Sequence, residues 1–274
     1  MISTNPYVPQ PAKLVEVIDE TPTIKTFVVA PSQPIAFTAG QFVQLTLPGV
    51  GEAPFTPSSS PSEADRIAIT VLKTGEVTTR LHEACRVGMS LGVRGPFGKS
   101  YPLEKLAGKE VLVVGGGVGL APLRALILAL LDDLKPIRRL SIKYGARCRE
   151  ELLYTDQYEQ WAAHEKVDLA VTIDNPQEGW TGHTGVVTTL LKGLDVDKAN
   201  CFAFACGPSV MLRFTTLALM EEDLEPEQIY LSMNRRMSCG MGLCGRCNIG
   251  KYYLCKDGPD MNYALIQDAP NVFS

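Results

Sequence analysis

The sequence contains few histidines, and its charge is nearly balanced. Only His82, His164 and His183 occur among the 274 residues, and they are far apart in the sequence. This spacing offers no histidine-based acid–base catalytic set. Acidic and basic residues are interspersed, and the formal net charge is −4. A nucleic-acid-binding surface is therefore not expected.

The sequence also lacks an uninterrupted apolar run. Residues 111–131 contain a single charged residue, Arg124, over a length that can cross a bilayer. The run is broken by Gly115, Gly116, Gly117, Gly119 and Pro122. A buried strand, a glycine turn and a helix explain this composition without lipid. Because no signal peptide is recognisable either, we expect a cytoplasmic protein without a membrane span.

Four of the eight cysteines form a Cys-x4-Cys-x2-Cys-x7-Cys array near the C-terminus. They are Cys239, Cys244, Cys247 and Cys255. The first three follow the plant-type spacing that, with a more distant fourth cysteine, binds a 2Fe-2S cluster. Glycines between them suit a loop that folds closely around such a cluster and points backbone N–H groups at its sulfurs. The sequence therefore predicts an iron–sulfur loop without a helix.

Two alternatives compete for these cysteines. Four thiolates also bind structural zinc, but zinc ribbons usually have two Cys-x2-Cys knuckles and this array has one. Disulfides fit poorly because the expected compartment is reducing and a chain of this size does not need them. The remaining cysteines are interpreted as free thiols: Cys85, Cys148, Cys201 and Cys206. A further role is considered below for Cys206.

The pattern of apolar residues divides the chain into two kinds of structure. Residues 12–98 contain short β segments (LVEVID, IKTFVV, QFVQLTL and RIAITVL), with Ile67, Ile69 and Val71 alternating on one face of the last. These segments predict an antiparallel β-barrel. After Gly108, apolar strands alternate with helices, which predicts a parallel α/β domain. We place the domains at 1–102, 103–226 and 227–274, the last being the cysteine module.

Two helices are predicted in the α/β domain from their apolar spacing. The first carries Leu123, Leu126, Ile127, Leu130 and Leu134. The second carries Met211, Phe214, Thr215, Ala218 and Leu219 and is expected to end near Pro226.

A glycine-rich turn, GGGVGLAP at 115–122, follows the strand VLVV and opens the first of these helices. Glycines allow the backbone to approach a pyrophosphate, and the helix N-terminus favours its negative charge. A glycine turn alone is weak evidence, because steric demands also select glycine there. Its place between strand and helix favours a dinucleotide site.

Three segments together resemble the pyridine-nucleotide domain of the ferredoxin-NADP reductase superfamily. They are GGGVGLAPLR, YGAR at 144–147, and Cys206-Gly207-Pro208 followed by Met211. The resemblance implies that NAD(P)H binds the glycine loop and places its nicotinamide ring beside the Cys-Gly-Pro turn. The residues concerned are Gly116, Gly117, Gly119, Pro122, Cys206, Gly207 and Pro208. Arg147 is a candidate for contact with the 2′-phosphate of NADP. The choice between NAD and NADP is left open, with NAD slightly preferred.

The same resemblance implies that the barrel binds FAD, although its flavin motif matches only in part. Ala53-Pro54-Phe55-Thr56 stands where the family has Arg-x-Tyr-Ser, so the arginine that faces the flavin phosphate is missing. Phe55 is expected to stack on the flavin and Thr56 to bond near its reactive nitrogen. Gly75-Glu76-Val77-Thr78 matches the second motif. Lys73 and Arg80 are candidate replacements for the arginine, and Thr56 and Cys206 are the predicted catalytic positions.

With the cysteine module included, the resemblance narrows to a branch of electron-transfer subunits. It includes the gamma subunit of NiFe hydrogenase or sulfhydrogenase, and the electron-transfer subunits of anaerobic sulfite reductase and of dihydroorotate dehydrogenase. Three segments resemble the hydrogenase and sulfite reductase types most: Gly51-Glu52-Ala53-Pro54, Arg235-Arg236-Met237 and Cys255-Lys256-Asp257-Gly258-Pro259. The implied function is transfer of electrons between NAD(P)H and the catalytic redox subunit of a larger complex, through FAD and a 2Fe-2S cluster. The partner enzyme would be a hydrogenase, a sulfite or sulfur reductase, or a heterodisulfide-reductase-like complex. A dihydroorotate-type subunit, a stand-alone diaphorase and a non-enzymatic redox sensor are the alternatives.

Overall fold

The computed structural model describes residues 5–270 and 272–273, which form two compact units. The first unit comprises the residues up to Tyr101 together with Arg124–Ala129 and Asn234–Pro259. The second comprises Pro102–Leu123, Leu130–Met233 and the residues from Asp260 onward. The cysteine array thus belongs to the same unit as the N-terminal β domain.

The strands, in chain order, are β1 (Gln10–Thr21), β2 (Ile24–Pro31), β3 (Phe42–Leu47), β4 (Gly51–Phe55), β5 (Ile67–Leu72), β6 (Ser90–Phe97), β7 (Glu110–Gly116), β8 (Arg139–Ala146), β9 (Val167–Ile173), β10 (His183–Thr184), β11 (Cys201–Cys206), β12 (Ile229–Ser232), β13 (Asn248–Ile249), β14 (Tyr252–Tyr253) and β15 (Asp260–Asn262). The α-helices are α1 (Glu76–Ala84), α2 (Leu120–Asp132), α3 (Tyr158–Ala162), α4 (Ser209–Glu221), α5 (Leu254–Asp257) and α6 (Tyr263–Ile266). None of the described helices is long and apolar enough to span a bilayer.

The first unit contains a six-stranded antiparallel sheet with the order β4-β3-β6-β1-β2-β5. This confirms the predicted antiparallel β domain. The alternating apolar pattern of β5 predicted one buried face, but the strand is buried on both faces. Ala68 and Thr70 are buried as well as Ile67 and Ile69. The second face is polar, because Thr70 hydrogen-bonds Thr26 at 2.7 Å and Ser58 at 2.9 Å.

The second unit contains a seven-stranded sheet with the order β10-β9-β8-β7-β11-β12-β15. All neighbours are parallel except β15, which runs antiparallel to β12. The predicted parallel α/β domain is therefore confirmed. Register pairs Gly115 with both Tyr144 and Cys206, so β7, β8 and β11 end at one edge of the sheet. Loops at this carboxyl edge are where ligands bind in such sheets.

Both predicted long helices form, but each ends earlier than the apolar pattern suggested. Helix α2 stops at Asp132, so Leu134 lies beyond it, and the nearby Pro136 disfavours a longer helix. Helix α4 stops at Glu221, where Asp223 adopts a left-handed φ of 63°. Its buried side also differs from the prediction. Phe214 is 55% exposed, while the buried positions are Leu212, Thr215, Thr216 and Leu219.

Two leucines of α4 allow a matched test of this packing. Leu212 is 3% exposed and Leu217 is 46% exposed. We expect Leu212→Ala to lower the free energy of unfolding by about 2–5 kcal/mol, because it leaves a cavity. Leu217→Ala should change it by only about 0.5 kcal/mol. Urea unfolding followed by circular dichroism measures both, and equal losses would contradict this burial.

Candidate functional site

The four cysteines of the C-terminal array lie together as two pairs of thiols. Cys247 and Cys255 have their sulfur atoms 3.3 Å apart. Cys244 hydrogen-bonds the sulfur of Cys239 through its thiol and its backbone N–H. All eight cysteines of the chain are free of disulfides. The array therefore offers two adjacent pairs of ligands.

The hairpin β13–β14 and the single turn α5 hold the second pair. Cys247 precedes β13 and Cys255 lies in α5, where the backbone N–H of Leu254 donates to the carbonyl of Cys247 at 3.0 Å. The cysteine and glycine pattern predicted no helix in this segment, and α5 corrects that prediction over four residues. With this turn in place, Cys255 lies beside Cys247.

Backbone N–H groups surround the sulfur atoms, as an iron–sulfur site requires. Met241 and Leu243 each donate an N–H to Cys239 Sγ at 3.3 Å, and Gly242 donates to Cys255 Sγ at 3.0 Å. Gly240 and Gly242 adopt φ values of 80° and 75°, which side-chain-bearing residues rarely adopt. Such N–H···S hydrogen bonds tune iron–sulfur clusters.

The two pairs differ in their electrostatics. Burial raises the pKa of Cys239, but hydrogen bonds from the N–H groups of Met241, Cys244 and Leu243 outweigh it and hold the pKa well below its usual range. Burial and the neighbouring Cys247 thiol raise the pKa of Cys255. The site thus stabilises at least one thiolate, the form in which cysteine binds metal.

Four cysteine thiols grouped in two neighbouring pairs provide the number and type of ligands that a 2Fe-2S cluster takes. A structural zinc site uses the same number and type of ligands.

The predicted flavin residues lie on β4 and at the start of α1. Pro54 and Phe55 end β4, opposite Gln44 and Val43 of β3, and Thr56 follows them half-buried. Gly75 is the N-cap of α1. The first N–H groups of a helix have no partners within it and can bind phosphate. This N-terminus offers backbone donors for the flavin diphosphate, for which the family arginine is missing.

Thr78 and Lys73 take different positions around this helix start. The Thr78 hydroxyl accepts the N–H groups of Thr74 at 3.0 Å and Gly75 at 2.7 Å, so it shapes the turn. Lys73 is partly exposed and binds Glu83 at 2.8 Å. Its ammonium group is therefore already paired, which weakens the case for it as the phosphate-binding cation.

Gln44 is a buried polar residue that the sequence patterns did not identify. It is 1% exposed, and neither atom of its amide has a hydrogen-bond partner among the described residues. It is paired in register with Pro54 on one side and Arg94 on the other. Because an unpartnered buried amide is costly, this position fits a bound polar group on the same face of the sheet.

The glycine loop of the second unit packs closely against the Cys-Gly-Pro turn. A Cβ atom added to Gly119 would overlap the carbonyl of Cys206. A Cβ atom on Gly116 or on Gly207 would overlap the sulfur of Met211. Glycine is therefore required at Gly119, where the overlap is with backbone, whereas a side chain at Gly116 or Gly207 would require Met211 to shift. Together with the start of α2, the three glycines form a backbone-lined edge suited to a pyrophosphate.

The other predicted nucleotide residues lie at the same edge of the sheet. Gly117 opens a 3-10 turn and its carbonyl accepts the Tyr144 hydroxyl at 3.2 Å. Pro122 lies in the first turn of α2, and Pro208 is the N-cap of α4. Arg147 directly follows β8 and is exposed.

Cys206 is a buried thiol at the end of β11. Burial, together with the nearby Asp260, raises its pKa to about 12, although hydrogen bonds from Ser232 and Gly207 oppose the shift. It is therefore protonated at neutral pH. Ser232 and Asp260 are not predicted from the sequence, because no local motif links them to Cys206.

Comparison with known proteins agrees with this geometry. Residues 11–101 match the oxidoreductase FAD-binding domain, and residues 113–216 match the oxidoreductase NAD-binding domain. Residues 234–267 match the iron–sulfur cluster binding domain of dihydroorotate dehydrogenase B. The chain is thus an NAD(P)H-dependent flavin oxidoreductase with an iron–sulfur domain.

Sulfhydrogenase 2 subunit gamma of Pyrococcus furiosus is 32% identical over 280 residues, covering 94% of this chain and 96% of the relative. The probable electron transfer subunit of dihydroorotate dehydrogenase B (NAD(+)) of Methanocaldococcus jannaschii is 36% identical, covering 90% and 87%. A solved structure of NADH-dependent reduced ferredoxin-NADP oxidoreductase has a TM-score of 0.77 at 25% identity, covering 99% of this chain and 95% of that one. The chain belongs to the ferredoxin-NADP reductase superfamily, in the branch that carries an iron–sulfur domain.

Single cysteine variants test the ligand assignment. We expect Cys247→Ala to reduce bound iron from about two per chain to near zero, because the second pair loses a ligand. Cys85→Ala is the matched control, since Cys85 is also buried but lies on the β domain just after α1. It should keep its iron. Iron analysis of anaerobically purified protein decides, and full iron retention in Cys247→Ala would refute the assignment.

Proposed function

We propose that this chain is the electron-transfer subunit of a cytoplasmic multi-subunit complex. It moves electrons between NAD(P)H and a catalytic redox subunit through FAD and a 2Fe-2S cluster. The observation that carries the proposal is the pairing of four cysteine thiols, surrounded by N–H donors, in a chain with FAD-binding and NAD-binding domains.

A hydrogenase-type catalytic partner is the preferred one. Two sulfhydrogenase gamma subunits of Pyrococcus furiosus match 94% and 99% of this chain, and their names describe subunits of larger enzymes. The dihydroorotate-type relative from Methanocaldococcus jannaschii matches 90%. The similar coverage in all these relatives supports an electron-transfer role. The fuller coverage supports the hydrogenase type, while the higher identity of the dihydroorotate-type relative, 36% against 32% and 33%, supports the alternative.

In this proposal residues 1–102 bind FAD, residues 103–226 bind NAD(P)H and residues 227–274 bind the cluster. The FAD contacts are Pro54, Phe55, Thr56, Gly75, Val77 and Thr78. The start of α1, rather than Lys73 with its ion pair to Glu83, supplies the donors for the diphosphate. The NAD(P)H contacts are Gly116, Gly117, Gly119, Pro122, Arg147, Cys206, Gly207 and Pro208. The cluster ligands are Cys239, Cys244, Cys247 and Cys255.

FAD, when bound, takes two electrons from NAD(P)H and releases them one at a time, which matches a two-electron donor to a one-electron cluster. The chain's own residues orient the bound cofactors and shield them from solvent. Phe55 offers a half-buried aromatic ring for stacking. Cys206 stays a neutral thiol beside the nicotinamide position, because its pKa is raised to about 12. No acid–base set is needed.

The complex itself tests the proposal. The affinity-tagged chain is purified with its catalytic subunit, and NAD(P)H-linked turnover of the complex is measured for wild type and Cys247→Ala. We expect the variant to keep NADH-dependent bleaching of the flavin but to lose at least 90% of electron transfer to the catalytic subunit. Equal turnover in both complexes would contradict a cluster-mediated path, and full physiological turnover by the isolated chain would contradict a subunit role.

Arg147 provides a test of cofactor choice. If its guanidinium meets the 2′-phosphate of NADP, Arg147→Ala should raise the KM for NADPH about tenfold and leave the KM for NADH nearly unchanged. Steady-state kinetics with ferricyanide as acceptor measures both constants. Arg139→Ala, at the opposite end of β8, is the control. Equal changes in the KM for NADPH and the KM for NADH would contradict a contact between Arg147 and the 2′-phosphate.

A further inference from the structure

Arg94 is a buried arginine that links the β domain to the cysteine loop within the first unit. It lies on β6, and its side chain is 4% exposed. Its Nε donates to Glu52 Oε2 at 2.8 Å and its Nη2 donates to Glu52 Oε1 at 2.5 Å. This is a bidentate ion pair, the strongest geometry available to these groups.

The rest of the guanidinium faces the cysteine loop. Nη1 donates to the carbonyl of Cys239 at 3.3 Å, and Nη2 donates to the carbonyl of Ser238 at 3.3 Å. Nη1 also donates to the carbonyl of Pro6 at 2.9 Å. One side chain therefore fixes the backbone at the first cysteine of the array.

The other end of this link lies on the strand that carries the predicted flavin contacts. Glu52 lies two residues before Pro54 on β4, and its carboxylate also accepts the Thr46 hydroxyl at 2.8 Å. Phe97, at the end of β6, lies beneath the guanidinium at 5.3 Å and packs against the Cα of Gly240 closely enough to leave little room for a side chain there. The contact thus connects β4 and β6 with the loop around Cys239.

Both members of the pair are charged at neutral pH. Burial alone would raise the pKa of Glu52, but the hydrogen bonds from Arg94 and Thr46 and the charge of Arg94 hold it below its usual value. Arginine remains protonated in proteins. The two charges have different positions relative to the cysteine loop. The guanidinium contacts the Cys239 backbone directly, whereas the carboxylate binds the guanidinium.

We propose that Arg94 is a positioning residue that orients the Cys239 ligand and raises the reduction potential of the cluster, and that Glu52 holds Arg94 in place and partly offsets its charge. This inference rests on the proposed assignment of a cluster to the four cysteines. A reduced cluster carries one more negative charge than an oxidised one. A nearby buried cation therefore favours reduction, and a nearby carboxylate opposes it.

The test is an EPR-monitored redox titration of the full chain, with iron assayed on each sample. Arg94→Gln should lower the midpoint potential and Glu52→Gln should raise it, each changing the equilibrium constant for reduction at least threefold, which is about 28 mV for one electron. Arg94→Lys should restore most of the potential, because it keeps the charge. It should also broaden the EPR signal, because lysine cannot bond Glu52 and both carbonyls in the same geometry.

The control is an exposed pair of the same kind in the second unit. Arg138 binds Asp197 at 2.6 Å, and Arg138 is 52% exposed. Arg138→Gln and Asp197→Asn should leave the potential unchanged. The double variant Arg94→Gln/Glu52→Gln removes the buried pair without leaving an unpaired buried charge, and it should still lower the potential.

Opposite shifts for the two single variants support the proposal. If Arg94→Gln loses its iron, the proposal is tested by the other two variants: Glu52→Gln should raise the midpoint potential, and the double variant should lower it. Shifts of the same sign, or none in variants that keep their iron, overturn it. Absence of iron in the wild type would instead show that the cluster assignment has failed.

Discussion

Backbone contacts and left-handed backbone conformations that favour glycine are the constraint on which the predicted nucleotide and cluster sites depend. In the second unit, Gly119 lies so near the Cys206 carbonyl that no side chain fits between them. In the first unit, left-handed glycines turn the N–H groups of the cysteine loop toward sulfur atoms. In both sites the backbone supplies the polar contacts, and the side chains mainly pack and orient.

The electrostatic character of the two sites differs in a way that suits their roles. At Cys206, burial keeps a thiol neutral next to the position expected for the nicotinamide ring. At Cys239, several N–H donors stabilise a thiolate despite burial. The same residue type is thus favoured as a neutral thiol in one unit and as a thiolate in the other. The difference comes from the deeper burial of Cys206 beside Asp260 and from the larger number of N–H donors that reach the sulfur of Cys239.

Much of the fold and part of the site could be predicted from the sequence, because local patterns determine them. The cysteine spacing, the glycine turn after β7 and the change from short β segments to alternating strands and helices are all local. The Arg94–Glu52 pair joins residues 42 positions apart, and its contact with Cys239 spans 145. No spacing rule links such residues. The side of α4 that is buried was also predicted wrongly at Phe214, because the tertiary packing of the helix, which its apolar pattern alone does not determine, leaves Phe214 exposed.

The proposed electron path requires that NAD(P)H, FAD and a two-iron cluster exchange electrons within one polypeptide. Ultraviolet–visible and EPR spectroscopy of anaerobically purified protein, before and after addition of NADH, examines this connection, with iron and flavin assayed on the same sample. We expect flavin absorbance that bleaches on reduction, about two irons per chain and a rhombic EPR signal that appears only with the reductant. Bound zinc without iron, or a cluster that NADH cannot reduce in flavin-replete protein, would contradict this electron path.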